Sequence, residues 1–286
     1  SMSPLAEVLH DAGLDIRGSD MAESSNTLTL RERGIPIHIG HSADNVTDDI
    51  SFVIRTAAVH DDNPEVHEAH RRGIPVFERT QAWGALMRGY QNALCISGTH
   101  GKTTTTSMCT HIMMAAEKDP TVMIGGTLPL LKACHRVGKG NTIIMESCEY
   151  YNSFLALNPT IAVVLNIEAD HLDFFKDLED IKHSFRCFAE RVPAETGTVI
   201  ANYDDANTMD ALRGIARKVI TFGLNAKADV YAQNIVHRGS VSEFDIYHRG
   251  NYFARVTLHV PGIHNVRNAL AATAAAIVLG VSPNAV

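Results

Sequence analysis

The segment Gly98-Thr99-His100-Gly101-Lys102-Thr103-Thr104 has the residue types of a phosphate-binding loop. Glycines let a backbone turn tightly and approach phosphate oxygens. N–H groups at the start of a following helix point at the anion, with the helix dipole behind them. Lys102 can reach β- and γ-phosphates, and the Thr103 hydroxyl can ligate Mg²⁺. The apolar run Ala93–Ile96 before the loop and the helical pattern to about Ala116 after it supply the strand–loop–helix context in which such a motif carries meaning. One position departs from the general pattern, because Ile96 stands where a glycine is usual, six residues before the lysine. A chance Gly-Lys-Thr turn is the plain alternative, and the context argues against it.

Two more apolar runs end in chemistry-bearing residues. Ile143-Ile144-Met145 leads into Glu146-Ser147-Cys148-Glu149, and Val163-Val164-Leu165 into Asn166-Ile167-Glu168-Ala169-Asp170-His171. If these strands are parallel to the one before the loop, their carboxyl ends share an edge, which is where ligands bind in such sheets. Carboxylate oxygens suit a hard cation such as Mg²⁺, and Glu146, directly after its strand, is expected to face the loop. His171 reads either as a second metal ligand or as a loop histidine bonded to a carboxylate such as Asp173, and spacing leaves the two even. Glu149, Glu168 and Asp170 read as outer or surface carboxylates, and Cys148, without a general-base partner, as a small filler. His264-Asn265-Val266-Arg267-Asn268 opens a helix, where spacing favours a cap over contact with an adenine edge. His60, His67 and His70, among Asp61, Asp62, Glu65 and Glu68, read as a solvated helix face rather than a metal cluster.

The elements that must position these residues alternate between strand-like and helix-like, which predicts a mostly parallel sheet. In a first unit, residues 1–90, strands are expected at Asp15–Asp20, Ile50–Arg55 and Ile74–Phe77. Helices are expected at Ser25–Arg33, Pro64–Arg72 and, capped by Thr80, Thr80–Tyr90, after an apolar helical pattern at Leu5, Val8 and Leu9. A second unit, residues 91–286, adds buried strands at Asn141–Met145 and Thr160–Ile167, with two more at Thr198–Ala201 and Lys218–Phe222. Hairpins follow from Asp229 to Val260, turning at Arg249-Gly250-Asn251, with Val256–Val260 as ordinary core, before an Ala-rich helix, Asn265–Leu279, ended by Gly280.

Bulk properties narrow the function classes. With 286 residues, 45% hydrophobic and 20% charged, the chain can bury a core in about two domains. A net charge of −7 argues against a nucleic-acid partner but not against a nucleotide. Five cysteines without a C-x-x-C pair indicate reduced thiols and a cytoplasmic protein. No run reaches membrane-spanning length, and no signal peptide appears.

Three ordered motifs, Gly98–Thr104, Asn166–His171 and Pro261-Gly262-Ile263-His264-Asn265-Val266-Arg267-Asn268-Ala269-Leu270-Ala271-Ala272, together resemble the Mur ligases of bacterial cell-wall synthesis over nearly the whole chain. The Thr-His inside the loop and Glu-Ala-Asp-His resemble the branch that joins L-alanine to the lactyl carboxylate of UDP-N-acetylmuramate. The resemblance implies an ATP-dependent amide-bond ligase working through an acyl phosphate, in the peptidoglycan synthesis that supports cell shape and division. It implies a Rossmann-like UDP-substrate domain, a P-loop central ATP domain with a mostly parallel sheet and small antiparallel part, and a C-terminal amino-acid domain. By carry-over, Gly98 to Thr104 bind ATP, with Lys102 on the β- and γ-phosphates; Thr103 and Glu146 hold one Mg²⁺; and His171 holds a second metal. Lys102, Glu146 and His171 are then the catalytic residues, His264, Asn265 and Asn268 lie near adenine, and Ser19, Asp20, Thr56 and Ala57 match places where the family binds UDP.

Departures accompany the likeness. Glu146-Ser147-Cys148-Glu149-Tyr150-Tyr151 replaces the usual Glu-Ala-Asp-Glu-Ser-Asp, and Ile124-Gly125-Gly126 the usual Asn-Gly-Gly. The family begins with a strand and a glycine-rich loop ending in Gly-Met-Ser or Ser-Met-Ser, where this chain reads Ser1-Met2-Ser3, and its third domain would follow Val286. The resemblance therefore implies a fragment, inactive by itself. Two alternatives stand beside this reading: a ligase that joins intact muropeptides to the same UDP-sugar, and, for the chain alone, a non-catalytic nucleotide-binding protein.

Overall fold

The structure, a computed structural model, describes residues 2–286. It divides into one compact unit up to Leu86 and a second from Met87 to Val286.

The first unit runs α1 (Met2–Asp11), β1 (Gly18–Asp20), α2 (Ser25–Glu32), β2 (Ile37–Ile39), β3 (Val53–Arg55), α3 (Pro64–Arg71), β4 (Val76–Glu78) and α4 (Arg79–Met87). Its parallel pairing is carried by two two-stranded ladders, β1 on β2 and β3 on β4. Helix α3 starts where expected, because Asn63 accepts from the Glu65 and Val66 N–H groups and Pro64 occupies the first turn. Thr80 is not a cap, since α4 already begins at Arg79 and the Gln81 side chain takes the Glu78 N–H. The acidic face of α3 is not simply solvated. Glu68 is buried and paired with Arg71 and Arg72 at 2.6 and 2.5 Å.

The second unit contains β5 (Asn92–Ser97), α5 (Lys102–Ala115), β6 (Thr121–Leu128), β7 (Ala133–Arg136), β8 (Thr142–Glu146), β9 (Ile161–Val164), α6 (Leu178–Glu190), β10 (Thr198–Asn202), α7 (Ala206–Ala211), β11 (Lys218–Gly223), β12 (Val230–Arg238), β13 (Val241–His248), β14 (Asn251–Leu258) and α8 (Ile263–Val278). Ten strands form one sheet in the order β14-β13-β12-β11-β10-β9-β5-β8-β6-β7. From β12 to β6 every neighbouring pair is parallel, while β13, β14 and β7 are antiparallel additions at the two edges. The central strands are short apolar runs, and β9 is buried at all four residues, as a strand covered on both faces must be.

Helices α5 and α8 pack on each other and on the sheet, where Leu94, Ile96, Ile144 and Val163 meet the small residues Ala271, Ala272, Ala275 and Ala276. These alanines let α8 approach closely. Helices α6 and α7 pack together and against β9 and β10. The periodic Ile181, Phe185 and Phe188 of α6, an apolar stripe at helical spacing, are all buried. Phe188 stacks on Phe154 at 4.6 Å and 3°, and Phe185 meets Phe154 edge-on at 5.3 Å. Phe154 thereby anchors the segment that follows β8. Val256 and Leu258 are half-buried and pack against the core from the sheet's edge strand, whereas Val260, beyond the end of β14, is exposed and lies outside it.

Replacing Phe188 with alanine empties a fully buried ring site and is expected to cost about 3–5 kcal/mol of stability, read by urea denaturation followed by circular dichroism. In the first unit, hydrogen bonds from Arg71 and Arg72 hold the Glu68 carboxyl at about 2, below its ordinary 4.5. A carboxyl depressed on folding stabilises above its unfolded pKa and loses that contribution as pH falls through the folded one. Fluorescence of the single tryptophan, Trp83, should therefore report Glu68→Gln unfolding more easily than the parent near neutrality, with the difference vanishing between pH 4.5 and about 2.

Candidate active site

Strand β5 lies between β8 and β9, with Ile96 opposite Glu146 on one side and Val163 on the other. All three are parallel, so their carboxyl ends open on one edge, as the sequence motifs required. The loop after β5 reaches that edge tightly packed. Gly98 has φ +144°, and a Cβ there would lie 2.8 Å from the Leu165 Cβ, so only glycine fits. Gly101 has φ +86° and precedes α5, whose first residue is Lys102.

Asn166, which sequence reasoning quoted but gave no role, holds the loop in shape. Its backbone carbonyl accepts the Thr99 N–H at 3.0 Å. Its side-chain oxygen accepts the His100 N–H at 2.8 Å, and its amide nitrogen donates to the His100 carbonyl at 3.0 Å. The Thr99 hydroxyl accepts the Glu168 N–H at 2.9 Å. His100 itself is exposed, 3.6 Å from Glu168, and Thr104 is half-buried in the first turn of α5. The one signal in the sequence is an Asn just beyond a strand end, whose side-chain amide can both donate to and accept from a neighbouring backbone.

Lys102 and Thr103 point to different carboxylates. The Lys102 ammonium donates to the Gly98 carbonyl at 2.6 Å and to both oxygens of Glu149 at 3.2 and 3.0 Å. Glu149 is 2% exposed, so it is not a surface carboxylate: it stands behind the loop as the buried counter-ion of its lysine. The Thr103 hydroxyl lies 3.0 Å from Glu146 Oε1, and Glu146 Oε2 accepts the Gly125 N–H at 2.7 Å. A Cβ at Gly125 would sit 2.6 Å from Oε1, so that glycine lets the carboxylate lie flat against β6.

Thr103 and Glu146 offer two hard oxygens that fit Mg²⁺. Among the described residues no three His, Cys, Asp or Glu side chains could hold a metal together, so remaining positions would fall to phosphate oxygens and water. His171 Nε2 lies 4.0 Å from Glu149 Oε1 and 4.0 Å from Asp170 Oδ2. Asp173 is not its hydrogen-bond partner; the Tyr150 hydroxyl donates to Asp173 instead. That bond holds Asp173 below the usual carboxylate range and pushes the Tyr150 phenol up. Cys148 is exposed rather than a filler, and its thiol is pushed up by the protein packed around it and then by Glu149.

At the start of α8 the capping expectation fails. Gly262, at φ +101°, is the N-cap, and no side chain caps the helix. Asn265 donates back to the Pro261 carbonyl at 2.7 Å and accepts from Asn268 at 3.2 Å. Asn268 is buried against the loop, its Oδ1 only 2.7 Å from where a Gly101 Cβ would be. His264 folds over Gly262.

In the first unit, Ser19, the middle residue of β1, donates its hydroxyl to Glu65 at 2.5 Å, and Asn45 donates to the same carboxylate at 2.6 Å. Asp20 is exposed and accepts the Ala22 N–H at 3.3 Å. Thr56, just after β3, accepts the Ala58 N–H at 3.1 Å, and Ala57 is exposed. The two pairs stand at the ends of strands in different ladders.

Gly98→Ala is expected to abolish detectable ATP binding by calorimetry while leaving the far-ultraviolet circular dichroism unchanged, since the clash is confined to the loop and Leu165.

Residues 96–276 match the Mur ligase middle domain and residues 1–91 the Mur ligase family catalytic domain. The chain is 44% identical over its whole length to the UDP-N-acetylmuramate–L-alanine ligase of Agathobacter rectalis, of which it covers 62%. It is 43% identical to the ligase of that name from Caldicellulosiruptor saccharolyticus, covering all of this chain and 63% of the relative. The chain thus spans less than two thirds of the length of these relatives. Among solved structures, the UDP-N-acetylmuramate–alanine ligase of Thermotoga maritima superposes with a TM-score of 0.78 at 30% identity, over 98% of this chain and 63% of that one. The UDP-N-acetylmuramate:L-alanyl-gamma-D-glutamyl-meso-diaminopimelate ligase of Neisseria meningitides superposes with a TM-score of 0.84 at 26% identity, over 99% of this chain and 91% of that one. Strand-end motifs, loop geometry and these matches converge: the chain belongs to the Mur ligase family.

Proposed function

We propose that the chain is the substrate- and ATP-binding part of a ligase that joins L-alanine to the lactyl carboxylate of UDP-N-acetylmuramate, in the cytoplasm. The observation that carries this reading is the meeting of the loop lysine, the Thr103–Glu146 oxygen pair and the Glu149–His171 pair at one strand edge. The 44% identity to a ligase of that name supports the choice of substrates.

The reaction needs a carboxylate turned into a good acyl donor, and ATP supplies this by forming an acyl phosphate. Attack by the amine then gives the amide, with ADP and phosphate as the other products. Catalysis is mostly positioning and charge neutralisation around the transferring phosphoryl group. Backbone N–H groups of Gly101 and of the first turn of α5, Lys102 to Thr104, cradle the phosphates, since those of Thr99 and His100 are taken by Asn166. Lys102, now donating to Glu149, turns its ammonium toward the β- and γ-phosphates when these arrive. Bound through Thr103 and Glu146, Mg²⁺ would neutralise phosphate charge. Asn268, wedged against Gly101, and Asn166 keep the loop from relaxing as the negative charge enters. Asn265 and His264 border the same helix start and serve the adenine side, while Ser19, Asp20, Thr56 and Ala57 serve the UDP part from the first unit.

A second reading, ligation of an intact muropeptide to the same UDP-sugar, is favoured by the higher TM-score of the Neisseria structure. L-alanine and L-alanyl-γ-D-glutamyl-meso-diaminopimelate offered in competition separate the two, and L-alanine is expected to be consumed.

With the chain extended by whatever its coding frame supplies beyond Val286, L-alanine-dependent phosphate release from ATP and UDP-N-acetylmuramate is expected. Lys102→Ala should lower it by about 10²–10³-fold, the scale seen when a charge-stabilising donor is removed. Full activity in that variant would contradict the reading.

A further inference from the structure

The segment after β8 is held in a costly shape. Tyr151 and Asn152 have φ of +53° and +55°, and His171, on the segment after β9, has φ +51°. Non-glycine residues rarely adopt this left-handed region, and clusters of them persist only where the surroundings enforce them. Here the enforcement is visible. Phe154 is clamped between Phe185 and Phe188, and Asn152 accepts a hydrogen bond from Ser184. The His171 carbonyl accepts from the Phe174 and Phe175 N–H groups at 2.9 Å each, with Phe175 buried.

The result is that the Tyr150 ring lies on the His171 imidazole, with centroids 4.3 Å apart and planes 25° from parallel. The Tyr150 hydroxyl reaches past the stack to Asp173, two residues beyond the histidine. No described hydrogen bond reaches the imidazole of His171; its stack on Tyr150 and the distant carboxylates are what the ring meets. The 4.0 Å between Nε2 and Glu149 Oε1 is too long for a hydrogen bond. Donors on one octahedral cation at about 2.1 Å stand about 3.0 Å apart when adjacent and about 4.2 Å when opposite, so this pair suits nearly opposite positions on a shared cation.

We propose that Tyr150 is a positioning residue for His171: its ring and its bond to Asp173 fix the imidazole so that Nε2 and Glu149 can share a divalent cation. This rests on the ligase reading only in giving His171 a metal to hold. Loss of a partner that orients a ligating histidine ordinarily weakens metal binding by about 10–100-fold.

The test uses the chain as it stands, with Mn²⁺ as probe in the presence of a non-hydrolysable ATP analogue. Free Mn²⁺ is counted by electron paramagnetic resonance, and the His171 ring protons are followed by NMR without metal. Tyr150→Leu removes the stack and the hydroxyl; Tyr150→Phe keeps the ring and loses only the bond to Asp173, which guards against a folding defect. Tyr150→Leu should shift the His171 ring protons downfield, as the tyrosine ring current is lost, and weaken one class of Mn²⁺ site by about 10-fold or more. Tyr150→Phe should keep most of the ring shift with a smaller loss of affinity. Unchanged ring shifts and affinity in Tyr150→Leu overturn the proposal. His171→Ala separates the two levels: if it loses Mn²⁺ and Tyr150→Leu does not, the Tyr150 role alone falls. If His171→Ala binds Mn²⁺ as the parent does, the metal role of His171 fails and takes the Tyr150 role with it.

Discussion

Strand β5 is hydrogen-bonded on both flanks by parallel neighbours, and its last residues, Ile96 and Ser97, pair with Glu146 of β8 and with Val163 and Val164 of β9. Parallel register of this kind leaves little freedom, because a slip of one residue turns every side chain to the other face. It also decides where three loops begin. The loop of Gly98 starts beside Leu165, the Glu146 carboxylate stands across from Ile96, and Asn166 emerges where it can bond Thr99 and His100. Each interaction of the site follows from the ends of those strands being level.

Upon that edge sits a buried charge pair. Glu149 is 2% exposed and has the Lys102 ammonium at 3.0 Å. A buried carboxylate without a counter-ion is costly. A phosphate group that draws Lys102 away must therefore arrive with something that keeps Glu149 neutralised. A divalent cation does this, and its phosphate-bound form brings both charges at once. The same pair thus holds the loop in shape, and on the proposed reading it makes nucleotide binding favour an accompanying cation. In the proposed arrangement His171, 4.0 Å from Glu149 and stacked on the ring of Tyr150, is the neighbouring donor.

Much of this was legible in the residues. The strand–loop–helix around Gly98–Thr104, the parallel sheet, the edge where Glu146 and Thr103 meet, and the hairpins after Asp229 follow from local pattern, because short β-branched runs and glycine turns act over a few residues. What stayed hidden depends on distance in sequence. Glu149 looks like one more carboxylate until β8 and α5 bring it 47 positions back to Lys102. Asp173 looks like the partner of His171 until the left-handed turn at Tyr151 swings Tyr150 into its place. Asn268 looks like a helix cap until α8 packs on α5 and presses it under Gly101. Helix α6 is different: its Ile181, Phe185 and Phe188 carry a period that is readable in the sequence itself.

A crystal structure of the chain with Mg²⁺ and a non-hydrolysable ATP analogue tests the shared strand edge most directly. The account predicts the β- and γ-phosphates against the N–H groups of Gly101–Thr104, the cation on Thr103 and Glu146, and the Lys102 ammonium moved from Glu149 to the phosphates. A nucleotide bound elsewhere, or one in the loop with Lys102 still seated on Glu149 and no cation between Thr103 and Glu146, would contradict it.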